Sequence, residues 1–385
     1  MKEVGLYTLR LTQNTYAEEP YRVDVSLEGD HIPRKTAKAD VDFILTPYEQ
    51  EEIRWYVEDF LLFPFDPAPE RAKRVEKRLS EIGVQLFNAI FTANDDVRDM
   101  WATIRENLDD TRVEIVTGVA EATSIPWELI RDPKTDLPLA LRARSFVRAF
   151  SNPQQTPSIP DFQQIPVRIL LIICRPGKGD DVPFRSVASR LIKGLTRQAK
   201  ETFILDVLRP PTFEQLGIKL REAKNRGEPY HIVHFDGHGD YLEQILELQF
   251  LKKRDGTHGY LAFENPKSAD NALYIDGPSL GSLLVETGVP VLVLNACRSA
   301  LAEGKSEHEK EIENPHALIR AIGSFAQEVM DTGITGVVAM RYSVFVLTAA
   351  QFVAYMYIWL AKGSSLGDSC KRPGLCPRPA PAARC

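Results

Sequence analysis

The run His231-Ile232-Val233-His234-Phe235-Asp236-Gly237-His238-Gly239-Asp240 decides how this chain is read. An apolar strand over residues 230–235 is expected to end in a loop, where glycines stand on both sides of His238. A second run of the same build, Val291-Leu292-Val293-Leu294-Asn295-Ala296-Cys297-Arg298-Ser299, leads from an apolar strand into Cys297. In parallel sheets, functional residues gather beyond the carboxyl ends of the strands. Two such strands lying side by side would deliver a histidine and a cysteine to one edge. Gly237 and Gly239 permit a tight turn there and a close approach by a substrate backbone.

Outward from these runs, strand and helix patterns alternate. Residues 167–174 (VRILLIIC) form a continuous apolar run, as a strand buried on both faces does. Helical patterns follow over 186–199, 213–225, 278–286, 318–331 and 344–360, with strands over 203–208 and 336–340 between them. Thr212 is a suitable N-cap for the helix at 213. This alternation predicts an α/β fold with a mostly parallel central sheet flanked by helices. Ahead of it, residues 151–166 carry four prolines among polar residues, the composition of a linker. Residues 1–150 are then expected to form a separate N-terminal β/α region of accessory or pseudo-caspase type. Its strands are expected at 4–11, 21–27 and 113–119 and its helices at 49–62 and 70–91. The main domain is read as 167–367. The Pro- and Cys-rich stretch 368–385 is read as a disordered tail.

Bulk properties exclude several classes. The 385 residues are 44% hydrophobic and 26% charged, which suits a globular protein with a sizeable core. A net charge of −6 gives no general attraction to nucleic acid or to anionic membrane. No secretory signal is expected, because residues 1–14 lack an apolar run flanked by basic residues and a small-residue cleavage site, and no membrane span is expected, because Thr348 and Gln351 interrupt the most apolar C-terminal stretch. Five cysteines, an odd number, do not make a disulfide framework, so a reducing, cytoplasmic setting fits.

The chemistry that suits His238 and Cys297 is that of a thiol nucleophile with an imidazole partner. A nearby histidine raises the thiolate fraction, and its pKa suits it to protonate a leaving amine. Backbone N–H groups of Gly239 and Cys297 are the expected donors to a developing oxyanion. Against this stands the plainer reading of a cysteine at a strand end as a small core residue, which is how Cys174 is read. His231, His234, His238, His258 and Cys297 offer zinc-ligand types. However, His231 and His234 point to opposite faces of a strand, and no CxxC or HExxH pattern occurs. His234 is read as structural and no metal is expected. Arg175-Pro176-Gly177-Lys178-Gly179 lacks a phosphate-loop pattern, so no nucleotide cofactor is expected either.

With these residues in view, the chain resembles the CHAT domains, relatives of caspases and separases among the clan CD cysteine peptidases. Residues 231–239 resemble that group's apolar strand followed by His-Gly, and residues 291–299 its apolar strand followed by Ala-Cys. Asn295-Ala296-Cys297-Arg298-Ser299 is close to the caspase pattern QAC[RQG]G. His238 precedes Cys297 by 59 positions, near the separation of about 50 found in caspases. Ile125-Pro126-Trp127-Glu128-Leu129-Ile130 looks like the upstream PWEL segment, and residues 336–343 look like the strand and loop after the catalytic cysteine.

The resemblance implies a caspase-like sandwich and peptide-bond hydrolysis, with His238 as general acid/base and Cys297 as nucleophile. It also implies a regulated effector in bacterial defence or cell death, acting on a protein substrate and waiting for an activating partner or effector. A catalytically silent scaffold or signalling module is the alternative. Many CHAT sequences carry an acidic residue in the loop where this chain reads Arg341-Tyr342-Ser343. With Arg175 on the same edge, a substrate pocket favouring an acidic or neutral residue over Lys or Arg is expected. The plainer reading gives both arginines structural ion pairs. Residues 303–314 (EGKSEHEKEIEN) are the candidate activation segment, and the insertion 241–276 is expected to form a hairpin beside the cleft.

Overall fold

The computed structural model describes residues 6–14, 21–30, 32–41, 43, 45–60, 64–117, 125–149, 157–160, 165–176, 202–242, 258–296, 325–339 and 346–371. The chain divides into two compact units, Met1–Asn152 with Gly367–Cys376, and Pro153–Leu366 with Pro377–Cys385.

In the N-terminal unit, β1 (Tyr7–Asn14), β2 (Tyr21–Gly29) and β3 (Ile32–Val41) form an antiparallel meander. After α1 (Pro47–Arg54), α2 (Ala68–Phe91) and α3 (Asp95–Ile104), β4 (Thr111–Thr117) returns parallel to β1. A two-residue hairpin of β5 (Arg131–Asp132) and β6 (Leu137–Pro138), then α4 (Leu139–Arg142), lead into β7 (Ser145–Ala149), which pairs parallel with β4. Alternation places Leu9, Leu11, Val23, Val25, Leu27, Val113 and Ile115 inside. Residues of α2 such as Ile82, Leu86 and Ile90 are buried at helical spacing. Thr46 and Glu49 close a capping box on α1, and the Asn94 side chain accepts from the Val97 N–H to start α3. Sequence patterning missed β3, an edge strand whose residues Arg34, Lys35 and Lys38 face solvent, as charge on an open edge commonly does.

The second unit is built on parallel strands. These are β8 (Val167–Ile173), β9 (Phe203–Val207), β10 (Ile232–Leu242), β13 (Val291–Ala296) and β14 (Gly336–Ala339), in the order β9-β8-β10-β13-β14. All four neighbouring pairs are parallel. Between β10 and β13 come β11 (His258–Glu264) and β12 (Ala272–Asp276), which extend the sheet by antiparallel pairing. One sheet face, through Leu170, Ile172, Val233, Phe235, Leu292 and Leu294, packs in a single core with α5 (Phe213–Asn225) and α6 (Gly277–Glu286). The Thr212 side chain accepts from the Gln215 N–H and caps α5 as expected, and Asp276 caps α6. Residues 325–331 are helical, and Phe325 and Val329 join the same core.

The opposite sheet face meets α7 (Val346–Ala361), whose Tyr357 is fully buried. The chain is therefore mixed α/β, with helices against both faces of the parallel strands. A last helix, α8 (Leu366–Lys371), runs through residues read from the sequence as the start of a disordered tail. Ser369 on it is fully buried, and Asp368 pairs with Arg144 at 3.4 Å within the N-terminal unit. Among the described residues, no helix is long and apolar enough to cross a membrane.

Candidate active site

The site is organised by β10. Val233 and Phe235 face the core with α5 and α6, so alternation turns His234, Asp236 and His238 to the other face. All three polar residues are buried, with exposures of 2%, 2% and 4%. Three polar side chains on one buried strand face must find partners there.

The sequence places His238 in a loop with its glycines making a turn. The strand instead continues to Leu242, and from His238 onward it pairs with β11, His238 opposite Ala262. The insertion after it pairs back on the strand and so extends it. Gly237 serves contact rather than turning: a Cβ there would lie 2.8 Å from two Phe235 ring carbons and 3.3 Å from the Cys174 Cβ. Gly239 is likewise extended, opposite Leu261.

Asp236 is the hub of the face. Its Oδ1 pairs with an Arg175 guanidinium nitrogen, and its Oδ2 accepts from Asn295 Nδ2 at 2.9 Å. Arg175 also donates through Nη1 to the Asp236 carbonyl at 2.9 Å and to the Cys174 carbonyl at 2.8 Å. Its backbone N–H donates to Glu264 Oε1 at 3.0 Å. The guanidinium expected to line a substrate pocket is therefore engaged with Asp236, which favours the plainer reading of a structural ion pair. Asn295 is 8% exposed, and its Oδ1 has no hydrogen-bond partner among the described residues.

The other candidates separate cleanly. His234 lies inside the sheet as expected, its Nδ1 3.0 Å from the Tyr357 hydroxyl of α7. Burial lowers its pKa to about 4, against a smaller opposing effect of Asp236, so it is neutral at pH 7. His231 accepts the Arg168 backbone N–H at 3.0 Å, and burial, then Arg168, lowers its pKa to about 4. His258 Nδ1 lies 2.7 Å from Glu328 Oε1. Cys174 is fully buried with its Sγ 3.3 Å from the Pro211 carbonyl, and burial pushes its pKa up, which holds it as an inert thiol. Among the described residues, no group of three His, Cys, Asp or Glu side chains is placed to hold a metal ion.

Cys297, Arg341, Tyr342 and Ser343 lie outside the described residues, as do Gly177, Gly179, residues 243–257 of the insertion and residues 303–314. Sequence reasoning missed Asp236 and Asn295. The available signal was a polar residue two places before each singled-out residue, on the same strand face, in runs that are otherwise apolar.

The family model for the CHAT domain matches residues 88–372 of the chain. The search of curated proteins found no match.

Proposed function

The chain belongs to the CHAT domain family, caspase-like relatives of the clan CD cysteine peptidases, and from that premise we propose that it is a cysteine endopeptidase acting through His238 and Cys297. The observation that carries this reading is the register of β10 on β13. The parallel ladder runs from Ile232 opposite Val291 to Gly237 opposite Ala296, a constant offset of 59. His238 and Cys297 are themselves 59 positions apart in the sequence, the same offset as the ladder. His238 lies on the buried sheet face that also bears Asp236 and Asn295.

The proposed chemistry is that of a thiol nucleophile with an imidazole partner. The Cys297 proton passes to the His238 imidazole, and the thiolate attacks the scissile carbonyl, forming a C–S bond. The carbonyl oxygen takes the negative charge, with the backbone N–H groups of Gly239 and Cys297 as its donors. As the C–N bond breaks, His238 returns a proton to the leaving amine. It then accepts one from the water that hydrolyses the thioester. In this reading the protein is a regulated effector of bacterial defence or cell death that cleaves a protein substrate. Arg341, Tyr342 and Ser343 shape the pocket before the scissile bond. Arg175, paired with Asp236, serves as a structural ion pair rather than as a pocket residue.

Covalent labelling by an electrophilic peptide probe tests the proposal. Wild-type protein, with any activating lysate supplied, should label at Cys297, and labelling should vanish in Cys297→Ala and fall by about 10²–10⁴-fold in His238→Ala. Equal labelling of wild type and His238→Ala would leave the catalytically silent scaffold as the better reading.

A further inference from the structure

Within the N-terminal unit, a cleft of about 160 Å³ opens between α1 and α2. Helical spacing builds its floor. Val75, Leu79 and Ile82 recur at intervals of three and four on α2, and Ile53 of α1 lines the same space. Ile82 is fully buried, Val75 and Ile53 are nearly so, and Leu79 is half-buried. Two carboxylates form the walls, and each is already matched. Glu49 accepts from Arg78 Nε at 2.7 Å, and Glu52 accepts from Arg71 Nε at 3.1 Å. Arg78 also reaches Glu81 at 3.2 Å, a carboxylate shared with Lys77 at 3.8 Å. The mouth differs from the walls. Tyr48 is 72% exposed, and its hydroxyl has no hydrogen bond among the described residues. Arg74 is exposed and makes no hydrogen bond or ion pair among the described residues, because Glu70, one turn before it, pairs with Lys73 at 2.9 Å. The cleft is thus apolar inside, with one uncompensated positive charge and one open phenol at its rim.

We propose that this cleft docks a partner protein through one apolar side chain, of the size of leucine or phenylalanine, flanked by a carboxylate. Volume sets the size of the anchor. A cavity of about 150 Å³ holds a single benzene ring, whereas sites for cofactors and drug-sized ligands run from about 300 to 1,000 Å³. Charge sets its neighbour. The lining carboxylates are spent on Arg78 and Arg71, so the cation left to attract a partner is Arg74, and a guanidinium takes a carboxylate in a paired, planar geometry. Tyr48 and Arg74 at the rim are also of the residue types enriched where proteins meet. The docking site stands apart from the His238–Cys297 reading and holds or fails without it. It gives the N-terminal unit a task of its own, the capture of a partner through a short acidic and apolar segment.

A single anchor makes a weak contact, so the test must read millimolar binding. The probe is a seven-residue peptide, Gly-Ser-Asp-X-Asp-Ser-Gly, with para-fluorophenylalanine at X, titrated with the full chain and followed by fluorine NMR line width. Wild-type protein should broaden the line. Leu79→Trp, which fills the cleft with an indole, should abolish the broadening, and Arg74→Glu should weaken binding about fivefold, as expected for reversing one exposed charge. If Leu79→Trp loses its melting transition, Arg74→Glu combined with Tyr48→Ala, both at exposed positions, carries the test in its place. A peptide with lysines for the aspartates should bind more weakly than the acidic one. The proposal is overturned if wild-type protein leaves the line sharp, if the folded variants broaden it as wild type does, or if the lysine peptide binds equally well. It is also overturned if para-fluorophenylacetate binds as tightly as the peptide, which would make the cleft a site for small organic acids.

Discussion

Four polar side chains, His234, Asp236, His238 and Asn295, lie buried on one face of the central strands. Each has its position for a separate physical reason. His234 ties β10 to α7 through the Tyr357 hydroxyl, and its lowered pKa makes it sensitive to acid. The folded state holds His234 neutral down to about pH 4, whereas an unfolded histidine takes up its proton near pH 6.5. Below pH 6.5 the unfolded chain therefore binds a proton that the folded chain refuses. The stability tied to His234 is full above that pH and is lost as the pH falls toward 4. Between pH 7.5 and pH 5 the loss from this residue should be on the order of 2 kcal/mol. Urea unfolding at the two pH values should show a smaller difference in His234→Gln than in wild type. An unchanged difference would mean that His234 titrates normally in the folded protein. His231, lowered in the same direction, leaves a residual slope in the variant.

At the scale of the element, β10 does more than the sequence pattern assigned to it. Its first half pairs with β8 and β13 and its second half with β11, so His238 sits where the strand passes from one set of neighbours to the next. Pairing with β11 holds His238 in extended backbone rather than in a loop. Gly237 is the tightest point of this arrangement, flanked by Phe235 and Cys174, both fully buried. In Gly237→Ala the new methyl group meets ring carbons that cannot withdraw. We expect a loss of about 1–3 kcal/mol in denaturant unfolding, the usual cost of overpacking a core. A variant as stable as wild type would mean that the strand bends freely there. The turn chemistry suggested by Gly-His-Gly would then deserve a second hearing.

At the scale of the molecule, two units each have their own sheet and core, and the second holds the site. The chain crosses between the units more than once, since residues 367–376 group with the N-terminal unit. A Cβ at Gly367 would lie 3.0 Å from a Val147 methyl and 3.1 Å from the Ser145 Cβ, so α8 packs tightly on β7. Burial also pushes the Cys370 thiol up to about 12. A chain ending at residue 365 should therefore show faster amide hydrogen exchange in β7 than one ending at residue 371. Equal protection would show that α8 contributes nothing to the N-terminal sheet. Much of this architecture was legible in one dimension. The apolar runs at 167–173, 232–235 and 291–294, the spacing of α2 and α5, the Thr212 cap and the His-Gly and Ala-Cys motifs are local patterns. They were sufficient to specify a mixed α/β chain of the CHAT family. The partnership of Arg175, Asp236 and Asn295 was not legible, because those residues lie about 60 positions apart in the chain and meet only through the register of three neighbouring strands. The course of β10 beyond His238, the charged edge strand β3 and the return of α8 to β7 were decided in the same way. Periodicity records which face of an element is buried, whereas only the packed sheet determines which strand lies beside it and therefore which polar groups share the interior.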